Sequence, residues 1–166
     1  IGEEAFNDCN GFNGELKLPT TLTTIDNRAF SYCSHLKGDL TLPTELITLG
    51  VKSFLSCSGF DGKLTIKGKF TIIYQSTFEG CSKLHGEVIL PDQITSIGDE
   101  AFRQCGRLDG KLHLPANLKI IGFNAFFMCS KLTGDLIIPS GVTSIGSQSF
   151  ISCSGFDGQI VIPNNV

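Results

Sequence analysis

No stretch of the 166-residue sequence approaches the ~20 consecutive apolar residues that a transmembrane helix requires. An excess of basic residues is also missing: the formal net charge is −3 and the pI is about 5.5. That balance argues against nucleic acid and anionic membranes as partners, because both demand a concentrated basic surface. There is no C-x-x-C pair of the kind that zinc sites use. No N-x-S/T sequon occurs. A nucleophile–base motif and a phosphate-cradling Gly loop at a strand-to-helix turn are both lacking. The expectation is therefore a protein that is not an enzyme and needs no cofactor or metal. The chain opens at Ile1 in mid-motif, without a starting Met or signal peptide, and neither end reads as the polar cap of a repeat array. These features lead us to expect a segment of a longer protein.

What the sequence does contain is one unit, repeated every 24 residues. Phe recurs at 6, 30, 54, 78, 102, 126 and 150, and Cys at 9, 33, 57, 81, 105, 129 and 153. Gly recurs at 14, 38, 62, 86, 110, 134 and 158. All six prolines share a further column, which only Lys67 interrupts. A fixed period of this length signals a solenoid. The sequence thus reads as a single array over residues 1–166, with rungs starting near 1, 25, 49, 73, 97, 121 and 145.

Each unit divides into three segments. Leu112 and Leu114 alternate with Lys111 and His113, the period of a short strand with one buried face. Pro115 ends that strand, having no N–H to give to a ladder. A second apolar pair, Leu118 and Ile121, brackets a run whose counterparts are rich in Thr, and predicts a second, shorter strand. Gly-x-x-Ala-Phe-x-x-Cys follows, and its Ala101, Phe102 and Cys105 fit one face of a short helical turn. The Gly column then turns the chain into the next strand, through a positive φ or because the backbone is too crowded for a Cβ. The fold class expected is an α/β repeat solenoid: right-handed, with seven 24-residue rungs, short parallel strands, a second short strand and a helical turn per rung. In unit three, Lys67, Gly68, Lys69 and Phe70 replace the usual proline run, which predicts a reshaped turn with Phe70 still inward.

The run IG-x-x-AF-x-x-C-x-x-L, followed by an apolar-x-apolar-Pro strand, resembles the BspA-type leucine-rich repeat. The resemblance covers all seven units. The common form of that family has one residue fewer between the Cys and the strand. Versions with the insertion, as in CSGFDGKLTI and CSKLTGDLII, look like those of long protist surface proteins. The resemblance implies a curved solenoid at a cell surface or outside the cell, and it carries over no catalytic residues.

Several residue groups are candidates for chemistry or binding. The seven cysteines stack in one column with their Cβ atoms parallel, which a disulfide torsion near ±90° does not allow. They are expected to be free thiols packed as small hydrophobes, a state that suits a reducing compartment at least as well as an oxidising one. The histidines, His35, His85 and His113, fall in different columns and share no ligand set. Glu15, Asp39, Glu87 and Asp135 share a column with Lys63 and Lys111, which predicts ion pairs between rungs. Two faces remain for partners. The strand face carries Lys17, Thr41, Thr65, Ile89, Lys111, His113, Ile137 and Val161. The turn face carries Val51, Leu55, Phe123, Phe127 and Ile151. The function expected is a non-catalytic binding module, a cell-surface adhesion or recognition solenoid contacting a protein or glycan. The alternative is a structural spacer or assembly scaffold, cytoplasmic or cytoskeletal, that self-associates end to end through its unpaired strand edges.

Overall fold

The computed structural model describes residues 1–166. Its regular elements are twelve two-residue parallel strands, two for each of six turns. In chain order they are β1 (Thr24–Ile25), β2 (Leu40–Thr41), β3 (Thr48–Leu49), β4 (Leu64–Thr65), β5 (Ile72–Ile73) and β6 (Val88–Ile89). There follow β7 (Ser96–Ile97), β8 (Leu112–His113), β9 (Ile120–Ile121), β10 (Leu136–Ile137), β11 (Ser144–Ile145) and β12 (Ile160–Val161). Even-numbered strands precede the proline column, and odd-numbered strands follow it. The paired strands keep the sequence period as their register, as in Leu40 opposite Leu64 and Ile97 opposite Ile121. A slip of one residue would turn Thr or Lys inward, so the buried face fixes the register.

One continuous core of 37 buried residues runs along the axis. The Phe column is its spine. Successive rings from Phe6 to Phe150 stack with centroids 5.1 to 6.0 Å apart and planes within 23° of parallel. That spacing is the height of one turn.

The structure corrects the helical turn expected in each rung: the chain contains no helix. The segment from Gly98 to Cys105 is an arc of successive turns. Ala101, Arg103 and Cys105 donate their amides three residues back, to the carbonyls of Gly98, Glu100 and Phe102. The residues that alternate with them, Glu100, Phe102 and Gln104, donate instead to Phe123, Ala125 and Phe127 on the next rung, each at 2.8 Å. Glu100 (φ 58°) and Gln104 (φ 62°) are left-handed, as are their counterparts in the other units. The physical reason is room. A helix with its side chains is ~10–12 Å across, about twice the height of one turn here. An arc that sends alternate amides to its neighbour fits that height.

Unit three behaves as its sequence predicts. Phe70 is buried and Gly68 takes a φ of +122°. The odd-strand sheet is interrupted there: β5, β7, β9 and β11 form one sheet and β1 with β3 another. The widest Phe spacing, 6.0 Å between Phe54 and Phe78, lies at the same level. A small cavity of about 130 Å³, lined by Ile47, Leu49, Phe70, Ile72 and Tyr74 among others, opens at the break.

The ion pairs expected along the charged strand column do not form between rungs as predicted. Asp39 Oδ1 accepts the backbone amide of Lys63 at 2.7 Å, and Asp135 Oδ1 accepts that of Gln159 at 2.7 Å. A fixed amide lies closer than the end of a flexible lysine and needs no side-chain ordering. Rung-to-rung ion pairs occur elsewhere, as Arg28–Glu4 at 2.9 Å, Lys69–Glu45 at 2.6 Å and Arg103–Glu79 at 2.6 Å.

Candidate binding faces

The even strands bring the predicted strand-face residues side by side. Thr41 lies opposite Thr65, Ile89 opposite His113 and Ile137 opposite Val161. Lys17, Thr41, Ile89, Lys111, His113, Ile137 and Val161 are exposed, and Thr65 is half-buried. Exposure of the aliphatic members is large, at 59% for Ile89 and 55% for Ile137. His113 Nε2 stands 3.7 Å from the Glu87 carboxylate.

This sheet is not continuous, and that was missed at the level of sequence. β2 pairs with β4, β6 with β8, and β10 with β12. Between these pairs the contact shrinks to single bridges, Lys63 to His85 and Lys111 to Thr133, which are 22 residues apart instead of 24. Leu40, Leu42, Val88, Leu90, Leu136 and Ile138 donate their amides to the next rung. At the breaks, the amides of Leu64, Ile66, Leu112 and Leu114 have no protein acceptor, and the carbonyls of Glu87, Ile89, Asp135 and Ile137 have no protein donor.

The Gly column sets this alternation. Gly86 is left-handed (φ +89°), as Gly38 and Gly134 are. Gly110 is not, and a Cβ there would lie 2.6 Å from Glu87 Cγ. From Gly38 onward both reasons expected for the column are realised, on alternate rungs; Gly14, on the first rung, shows neither. The signal was present in the flanking residues. Asn13, Asp61, Asp109 and Asp157 precede the Gly on odd rungs, and Lys37, His85 and Thr133 on even ones. The Asp of an odd rung accepts the Gly amide of the even rung before it, as Asp61 does from Gly38 at 2.9 Å and Asp109 from Gly86 at 2.7 Å. The Gly38 amide, followed by the amide of Asp61 itself and then the Lys37 and Lys83 charges, holds the Asp61 carboxyl below its ordinary range.

Each break opens a cleft. One, of about 320 Å³, is lined by Lys63, Thr65, Glu87 and Ile89 with their neighbours. The other, of about 530 Å³, has Lys111, His113, Asp135 and Ile137 at the corresponding positions 48 residues on. Each cleft combines an ammonium, a carboxylate, free backbone donors and acceptors, and an exposed isoleucine.

The turn face is less coherent. Phe123 and Ile151 are exposed, but Phe127 is half-buried beneath the Arg103 guanidinium, 5.5 Å from the ring centroid. Arg103 is held in turn by Glu79. Val51 and Leu55 are half-buried and three turns away, with Gln75, Glu79, Asp99 and Arg103 on the intervening turns. Two small patches result. No group of three or more His, Cys, Asp or Glu residues is placed to hold a metal ion. No helix is long and apolar enough to cross a membrane.

Comparison with known proteins agrees with this architecture. A family model described as BspA type leucine rich repeat region matches in six copies, over residues 1–133 and 85–166. Among curated proteins, none matches the sequence. A leucine-rich repeat protein from Bacteroides ovatus superposes with a TM-score of 0.62 at 21% identity, over 93% of this chain and 49% of that one. The T. pallidum leucine rich repeat protein gives 0.62 at 24% identity, over 76% of this chain and 70% of that one. A leucine rich cell surface protein from Faecalibacterium prausnitzii gives 0.52 at 16% identity, over 97% and 63%. The chain thus spans about half the length of the Bacteroides protein.

Proposed function

The chain belongs to the BspA-type leucine-rich repeat family, and from that premise we propose that it is a non-catalytic adhesion or recognition module acting at a cell surface on protein or glycan partners. The observation that carries this reading is the strand face. Ile89, Ile137 and Val161 are exposed along it, and two clefts of matched chemistry recur 48 residues apart. Exposed aliphatic groups beside unpaired backbone donors and acceptors suit a partner that supplies an extended chain or hydroxyls. The Faecalibacterium neighbour, described as a cell surface protein, adds support for the location.

The test is to replace Ile89, Ile137 and Val161 with Glu together and measure attachment of protein-coated beads to cells and to extracellular matrix. Attachment should fall about tenfold or more if these residues sit at the centre of the contact. Undiminished attachment by the folded variant would remove the strand face from the proposal.

A further inference from the structure

A second surface lies beside the strand face, where each rung passes from its Cys to its Gly. Lys83, Arg107 and Lys131 occupy the same position on three successive rungs and are all exposed. At the Phe column, neighbouring rungs are 5.1 to 6.0 Å apart. None of the three cations takes part in an ion pair, although four Lys or Arg pairs form elsewhere on the molecule. With Asp61, His85 and Asp109 they line a groove of about 520 Å³ that contains no hydrophobic residue.

The two carboxylates in this groove are fixed. Asp61 Oδ1 accepts the Gly38 amide and Asp109 Oδ1 the Gly86 amide, so neither side chain is free to swing onto the lysines. Each keeps Oδ2 without a protein donor. The groove therefore offers a cation on every rung and a fixed acceptor on every second rung.

We propose that this groove binds a linear acidic glycan, with Lys83, Arg107 and Lys131 taking its carboxylates or sulfates and Asp61 and Asp109 accepting its hydroxyls. Two features separate this ligand from other polyanions. Nucleic acid would bring phosphates against Asp61 and Asp109, and the groove has no aromatic side chain on which bases could stack. An extended acidic peptide repeats its side chains on one face every ~6.6–6.8 Å, longer than the 5.1 to 6.0 Å between rungs at the Phe column. A glycan chain supplies charged groups and neutral hydroxyl donors together, and the mixed lining requires both. The site shares the binding-module reading but uses none of the strand-face residues, so either can fail alone.

The experiment measures binding of the full chain to heparin and polygalacturonate oligomers, with neutral dextran and oligo(dT) as comparisons, near physiological salt. The expected result is binding to at least one acidic glycan more tightly than to oligo(dT) of equal charge. Lys83→Gln, Arg107→Gln and Lys131→Gln together should weaken it about tenfold or more. The decisive variant is Asp109→Asn, which keeps an oxygen for the Gly86 amide and removes a negative charge. It should weaken glycan binding several-fold. Tighter binding by Asp109→Asn, binding no stronger than to oligo(dT), or no binding to either glycan would overturn the proposal. The strand-face Glu variant should bind these glycans as the unaltered chain does, and its loss of binding would count against the groove.

Discussion

From Cys33 onward, each thiol in the Cys column donates to the carbonyl of a Phe on the preceding rung, from Cys33 onto Phe6 at 2.9 Å to Cys153 onto Phe126 at 3.0 Å. The same carbonyl accepts the amide of the Cys three residues on, as Phe54 does from Cys57 at 3.3 Å and from the Cys81 thiol at 3.2 Å. Cysteine thus fills a small buried volume and ties one rung to the next. Burial is the main reason that the Cys81 thiol is pushed up to about 12, and Cys153 to about 11, from an ordinary 9.0. All seven are free thiols. The sign of the pH dependence follows. Well below pH 9 the thiols are protonated whether the chain is folded or not, and their contribution is complete. Between 9 and 12 the unfolded chain loses protons that the folded chain keeps, so stability falls, on the order of 1 kcal/mol per pH unit for each strongly shifted thiol. Urea midpoints should stay level up to about pH 8 and decline above it, and Cys81→Ser should make the decline shallower. In a native thiol assay, the half-buried Cys9 and Cys153 should react first, and the five buried thiols only on unfolding.

Among the elements, the two sheets differ in continuity because their connections differ. The odd strands follow the arc period of 24, and only the Lys67–Phe70 irregularity separates β3 from β5. The even strands follow a Gly that is left-handed on alternate rungs, so the ladder closes on one side of each strand and opens on the other. Hydrogen exchange reads this alternation directly. Amides at Val88, Leu90, Leu136 and Ile138, bonded to the next rung, should exchange slowly. Those at Leu64, Ile66, Leu112 and Leu114 should exchange much faster, although the first three side chains are buried and Leu114 is half-buried. Equal protection across both sets would mean that the even-strand sheet is continuous in solution.

The whole molecule holds together by nearest-neighbour stacking, since each rung contacts chiefly the rungs beside it. Phe102 is fully buried between Phe78 and Phe126, with ring centroids 5.3 and 5.1 Å away. Phe6 is 37% exposed and touches one neighbour in the stack. Phe102→Ala should therefore cost about 3–5 kcal/mol, and Phe6→Ala markedly less. Equilibrium unfolding followed by circular dichroism in urea separates the two. Equal costs would contradict a one-dimensional array whose interior rungs are stabilised from both sides.

The order of residues along the chain already specifies the rung. Phe, Cys, Leu and Gly at fixed intervals dictate which side chains enter the core and where the chain turns, because every turn must bury the same face. It also placed Ile89, Ile137 and Val161 outside, since the strand period leaves them no other side. Contacts between rungs settle what one rung cannot specify alone. The Ala-Phe-Cys spacing is compatible with a helix until the height of a neighbouring turn excludes one. The Gly column looks uniform until Asp109 on one rung reaches the Gly86 amide on the rung before, which divides the sheet into pairs. Phe127 reads as exposed until Arg103 from the adjacent turn covers it. In each case the deciding contact joins residues about 24 apart in sequence but adjacent in space.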